Sequence, residues 1–214
     1  MIHRSWSTVL LLLLWAAALP GCHPSTGPSA IYGAALPRDE AEFDALGEAM
    51  ITLDADEEPL RQLDPLVGDW LIDGEYFPWP DAAATMVSPV CQARWILGGR
   101  CLELRYQYYF QGETIRDLVL VRWNPLDTCY DLQMYSSSWP LPNGGSGRWN
   151  DEGNILDFVI TTTNAATSEP VTTLYRLDAI TPNAHRWRQY RTSETGQLTA
   201  FFTMNARRAL EEQP

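Results

Sequence analysis

Few side chains in this sequence are of the types and spacings that do covalent chemistry. Among 214 residues there are three histidines, four cysteines and no lysine, which removes Schiff-base and other lysine-dependent mechanisms. His185 stands beside Arg186 and Trp187, next to a turn at Pro182-Asn183. A Ser-His-Asp site would have to use it. The one Gly-x-Ser-like candidate, Gly145-Ser146, lacks the strand-to-helix setting of a nucleophile elbow. Asp73 and Glu75 alternate on one face of a strand and read as solvated carboxylates rather than a glycosidase pair. The spacing of Cys22, Cys91, Cys101 and Cys129 matches no zinc pattern. No catalytic residues, metal ligands or cofactors are therefore expected.

The cysteine with the clearest chemistry is Cys22. His3 and Arg4 begin the chain with positive charge, and Val9 to Leu19 form an apolar run. That run is shorter than the roughly 20 residues needed to span a bilayer and fits a signal-peptide core. Leu19-Pro20-Gly21-Cys22 resembles a bacterial lipobox, in which cleavage before the cysteine leaves a thiol carrying diacylglycerol. The expectation is a bacterial envelope lipoprotein, held by palmitate-type acyl chains on Cys22 and facing the periplasm or the exterior. A net charge of −12 argues against nucleic-acid partners and against electrostatic docking on anionic lipid. The membrane contact then comes from the anchor, each buried methylene contributing about 0.8 kcal/mol.

These features divide the chain into a signal peptide at 1–21, a tether at 22–58 and one domain at 59–210. Pro, Ser, Gly and Ala dominate the first part of the tether. Residues 39–50, with Phe43, Leu46 and Met50 at near-helical spacing, predict a short amphipathic helix. Leu60, Leu63, Leu66 and Val67 lead into the domain through one or two helical turns.

From Val67 onward the alternation is that of strands. They are predicted at 67–77, 85–97, 100–110, 114–124, 129–137, 146–150, 154–164, 170–179, 185–193 and 197–207. Turns include Gln111-Gly112-Glu113, Asn143-Gly144-Gly145 and Thr195-Gly196. Gly98-Gly99 supplies the positive φ angles of a tight hairpin. Its register sets Trp95 against Leu102 and Cys91 against Tyr106, and puts Cys91 and Cys101 on opposite faces, where they make poor disulfide partners. About ten strands with short connections and no crossover helix predict an all-β, antiparallel up-and-down barrel.

Gly68-Asp69-Trp70 carries the Gly-x-Trp that opens lipocalin-like (calycin) barrels. Together with Trp95-Ile96-Leu97-Gly98-Gly99-Arg100, Trp123-Asn124-Pro125 and the closing Arg207-Arg208, the order of motifs resembles a bacterial family of unknown function within that superfamily. The resemblance spans roughly residues 60–208. It implies a barrel closed at one end, where Arg207 or Arg208 covers Trp70, so that Gly68, Trp70, Gly98, Gly99 and Arg207 are structural. A histidine at such a rim could ligate haem iron, but lone His185 reads more simply as a turn residue.

The remaining signal is a density of aromatic and arginine residues. A ten-stranded barrel holds either packed side chains or one small ligand. Candidate lumen or rim residues are Trp70, Trp95, Tyr106, Tyr108, Arg122, Tyr135, Trp187 and Arg191. An inward Arg122 or Arg191 would suit a carboxylate or phosphate head group. The leading expectation is non-catalytic binding of a small apolar or amphipathic molecule. The alternative is a filled barrel that contacts an envelope protein or polymer through Trp79, Trp139 and Trp149. An enzyme using His185 ranks below both.

Overall fold

The computed structural model describes residues 39–209 apart from 55–56, 80, 165–166 and 193–195. The signal peptide, Cys22 and the tether as far as Arg38 lie outside the described residues, as does most of the Thr195-Gly196 turn. Helix α1 (Glu40–Asp54) begins where Asp39 Oδ1 accepts the Glu42 N–H at 2.9 Å. Two acids in its first turn suit the positive end of the helix dipole. Helix α2 (Glu58–Arg61) and a 3-10 turn at Asp64–Leu66 then insert Leu60, Leu63 and Leu66 into the base of the barrel, where all three are buried.

Eleven strands follow. They are β1 (Gly68–Tyr76), β2 (Thr85–Val87), β3 (Val90–Ile96), β4 (Cys101–Phe110), β5 (Glu113–Asn124), β6 (Cys129–Ser136), β7 (Trp139–Trp149), β8 (Leu156–Thr163), β9 (Pro170–Thr181), β10 (Ala184–Thr192) and β11 (Leu198–Arg208). From β3 to β11 each pairs antiparallel with the next, and β11 returns to β1, Trp70 opposite Arg208. The sheet is thus a closed lipocalin-like barrel. Closure removes the open edges that would otherwise recruit other strands.

The single strand predicted at 85–97 is two strands occupying one place in the wall. β2 pairs the outer end of β1, with Gly74 opposite Val87, and β3 pairs its inner end, with Trp70 opposite Cys91. Ser88-Pro89 interrupts them because proline has no N–H for the ladder; the Pro89 carbonyl still accepts the Ile72 N–H at 3.0 Å. The β3–β4 register is the predicted one, Trp95 opposite Leu102 and Cys91 opposite Tyr106. Its tip is a four-residue loop with Gly98 and Gly99 at φ 69° and 89°.

The predicted turn at Asn143-Gly144-Gly145 does not exist: β7 runs through it, and the chain reverses at Ser137-Ser138. The glycines serve close approach. A Cβ on Gly145 would collide with the Val159 carbonyl, and one on Gly147 would lie 2.5 Å from the Phe158 ring. Missing side chains on β7 let β8 and its Phe158 press into the core.

Period-two alternation points Leu102, Leu104, Val121, Tyr130, Leu132, Phe158 and Leu177 inward, where they fill the closed half. Cys91, Cys101 and Cys129 are buried, and none of them is in a disulfide among the described residues.

Candidate functional site

The closed end is built around Trp70. Its indole Nε1–H donates to the Leu66 carbonyl at 2.8 Å, tying β1 to the turn that precedes it. Above the ring, 4.5 Å from its centroid, lies the Arg208 guanidinium. That group also donates to the Pro182 (2.7 Å), Val67 (2.9 Å) and Pro65 (3.4 Å) carbonyls. The clamp residue is therefore Arg208 and not Arg207, whose side chain alternation sends outward into solvent. Glycine suits position 68, whose φ of 145° would strain any L side chain, and a Cβ there would also force the Arg208 guanidinium to shift. Trp95 belongs to the same end. Its Nε1–H donates to Asp64 Oδ1 at 2.7 Å, and Arg61 lies over its ring. Tyr130 accepts from Trp149 Nε1 at 3.0 Å and donates to the Pro59 carbonyl at 2.6 Å, stitching α2 to the wall.

His185 is at this closed end too, 2% exposed, its ring edge-on to Trp70 with centroids 4.4 Å apart. Neither ring nitrogen has a hydrogen-bond partner among the described residues. Burial, reinforced by the Arg208 charge, pulls its pKa down to about 4, so the ring is neutral. It is a core histidine with no carboxylate or hydroxyl in hydrogen-bond reach among the described residues. Cys91 is likewise a core group: burial pushes its thiol up to about 12, far from the thiolate range.

The open half differs. A cavity of about 50 Å³, open at its mouth, lies above the filled layers. One part of its wall is apolar: Val119, Leu132, Met134, Phe202, Met204 and Pro89. The other carries polar atoms from Tyr106 and Tyr108 (β4), Asp117 (β5), Tyr175 (β9), and Trp187 and Gln189 (β10). The Tyr108 hydroxyl donates to Asp117 Oδ2 at 3.0 Å. Asp117 Oδ1 is buried with no hydrogen-bond partner, and so is Trp187 Nε1. Burial raises the Asp117 carboxyl above its ordinary range, and Ser136 and Tyr108 offset only part of that. Burial and the neighbouring Asp117 push the Tyr108 and Tyr175 hydroxyls up, so both remain neutral donors.

Of the eight candidate lumen or rim residues, three line the cavity: Tyr106, Tyr108 and Trp187. Trp70 and Trp95 seal the closed end instead. Arg122 and Tyr135 are on the outer wall, Arg122 paired with Asp131 at 3.3 Å and Tyr135 48% exposed. Both sit at outward positions of their strands, beside inward Val121 and Met134. Arg191 occupies the rim, donating to the Phe77 (2.7 Å) and Pro78 (3.2 Å) carbonyls and lying over Phe201. The three loop tryptophans do not form one patch. Trp79 is 64% exposed at the open end, whereas Trp149 is at the closed end. Asp117, Tyr175, Gln189 and Met204 were missed. Asp117 sits between Ile115 and Val119 on a strict alternation, and that position was the available signal.

A second depression on the outer wall near the closed end brings Trp123, Trp149, Asn150, Asn154, Asp178 and Arg186 together. Asp178 there is paired with both Arg186 and Arg188, and these outweigh burial to hold its carboxyl below the usual range.

No protein-family model matches the chain, and no curated protein resembles it in sequence. Among solved structures, Rv2717c from M. tuberculosis superposes with a TM-score of 0.51 at 16% identity, covering 72% of this chain and 98% of that one. The S-type phycobiliprotein lyase CPES from Guillardia theta gives 0.48 at 12% identity, covering 70% and 92%. The first likeness establishes the fold and nothing finer.

Proposed function

We propose that this chain is a lipid-anchored, extracytoplasmic binding protein that holds one small, largely apolar molecule in its barrel and does no chemistry on it. The observation that carries the reading is the cavity in the open half. Apolar walls, a few convergent polar atoms and a rigid filled layer beneath are the composition of a ligand site. The space as it stands accommodates a few waters or a ligand of comparable size. Non-catalysis is supported by the described side chains that could have acted: His185 is entombed against Trp70, and Cys91 is held as a thiol. The anchor is supported by Leu19-Pro20-Gly21-Cys22, and with it an envelope location. The bacterial calycin-like family named above fits the same reading.

The test is native mass spectrometry on the full chain extracted from its own membranes. A small mass released on denaturation supports the binding barrel and identifies the ligand class. A clean apo mass, repeated after incubation with envelope lipid extract, favours the interaction module, which would draw on exposed Trp79, Tyr109 and Leu198 around the mouth. In the same preparation Cys22→Ser is expected to move the chain from the membrane to the soluble fraction.

A further inference from the structure

The depression near the closed end is an open cleft of about 1170 Å³, against about 50 Å³ for the barrel cavity. It is larger than the roughly 300–1,000 Å³ typical of sites for one drug-sized molecule, which suits an extended ligand. Its walls are the segment from α2 to the 3-10 turn, the β5–β6 turn, the β7–β8 turn and the adjoining ends of β9 and β10. Trp123 and Trp149 line it, both partly exposed. Tyr130 holds the two in place, edge-on to Trp123 at 5.1 Å and accepting the Trp149 Nε1–H. Along one rim Asn150 Nδ2 donates to Asn154 Oδ1 at 2.9 Å, which fixes both amides on the β7–β8 turn.

The charge of the cleft runs against that of the chain. Acids outnumber bases 27 to 15 overall, yet three arginines and two aspartates line the cleft. Arg148 Nη2 donates to the Asp127 carbonyl at 2.6 Å, and no carboxylate pairs with it among the described residues. Arg186 and Arg188 share the single carboxylate of Asp178, the first through Nε at 2.7 Å and the second through Nη2. The other aspartate, Asp151, is exposed on the turn. A guanidinium fork that is positioned but not neutralised is a receptor for carboxylate.

We propose that this cleft binds an acidic oligosaccharide, with Arg148 and Arg186 taking the carboxylates of its uronic acid units and Trp123 and Trp149 lying against its rings. The site is separate from the barrel cavity, and the proposal does not rest on the binding-barrel reading. Aromatic walls beside amides and guanidiniums match a ligand whose rings have apolar faces and hydroxyl edges. A compact anion would leave most of this volume empty. A concave cleft takes a chain-like ligand better than it takes the flat surface of a bilayer.

The experiment is calorimetric titration of the full chain with trigalacturonate and with trimannuronate, each beside its methyl ester. Two further probes are tricarballylate, an anion without sugar rings, and glycerophosphoglycerol, the soluble head group of an anionic phospholipid. At least one of the two uronates is expected to bind about tenfold tighter than its methyl ester and than either further probe. Arg148→Gln is expected to weaken that uronate by about fivefold or more. Asp151→Asn, which removes a like charge, should strengthen it by about twofold, a gain that a misfolded protein cannot give. Arg105→Gln, on the outer wall and paired with Glu103, should stay within about twofold. Equal binding of the methyl ester overturns the carboxylate recognition, and equal binding of tricarballylate overturns the saccharide. Tighter binding of glycerophosphoglycerol reassigns the cleft to a lipid head group. If neither uronate binds, the proposal falls while the barrel cavity stays untouched.

Discussion

Replacing His185 by phenylalanine should flatten the acid side of the stability profile. The buried ring has a pKa of about 4 against an ordinary 6.5. Between those values the unfolded chain binds a proton that the folded chain does not, so stability falls as pH falls. Going from pH 7 to pH 4.5, that single group removes about 2–3 kcal/mol, and below pH 4 it removes little more. In a domain of this size the loss corresponds to about 5–10 °C in Tm. Two described carboxylates also have shifted pKa values, and their signs differ. Asp117, with its raised pKa, gains relative stability as the pH drops, whereas Asp178, with its lowered pKa, loses stability below its ordinary range. Both persist in the variant and cancel in the difference. Phenylalanine also removes two unpartnered buried nitrogens, so at pH 7 the variant should match or exceed wild type by up to about 1 kcal/mol. The assay is urea unfolding followed by far-ultraviolet circular dichroism at pH 7 and 4.5. Equal losses in the two proteins would refute the buried neutral histidine.

Two further substitutions test the packing. Arg208→Ala deletes three hydrogen bonds to carbonyls and the contact over Trp70, and should cost about 3 kcal/mol in denaturant unfolding. The neighbouring Arg207→Ala should stay within about 0.5 kcal/mol, and equal effects would mean that the clamp is misassigned. Gly147→Ala forces a methyl against the Phe158 ring and the Asp157 carbonyl and should cost about 1–3 kcal/mol, read as a lower Tm. A neutral result would show that β7 has slack against β8.

The barrel was legible because its evidence is periodic and local. Alternation gave the strands, and the Gly98-Gly99 tip gave a register that holds along all of β3. Glycine misled where its use was tertiary: Gly144 and Gly145 have turn-like composition, yet they lie within β7, where β8 comes too close to Gly145 for a side chain and Gln133 of β6 lies against Gly144. Alternation also decides Arg122, which follows inward Val121 and so must face out; favouring arginine for its chemistry overrode a pattern that was already readable. The choice between Arg207 and Arg208 depended on which of two neighbours the barrel closure sets against Trp70, a long-range pairing that no local pattern encodes. Asp117 escaped because an acid between Ile115 and Val119 reads as a surface residue unless the facing is followed strictly.

The two ends of this barrel each bury polar atoms without partners, and they call for opposite interpretations. At the closed end His185 is surrounded by filled volume: Trp70 edge-on, Arg208 close by, and the buried side chains of the core all around. No molecule can reach its nitrogens without dismantling that layer, so the cost is carried permanently and appears as acid sensitivity. In the open half Asp117 Oδ1 and Trp187 Nε1 are also buried without a partner among the described residues, but their side chains line the cavity. A polar side chain in a packed layer bears on stability, while one that lines a cavity bears on recognition. On that distinction His185, the residue whose type promised chemistry, belongs to the fold, and Asp117, which promised none, belongs to the site.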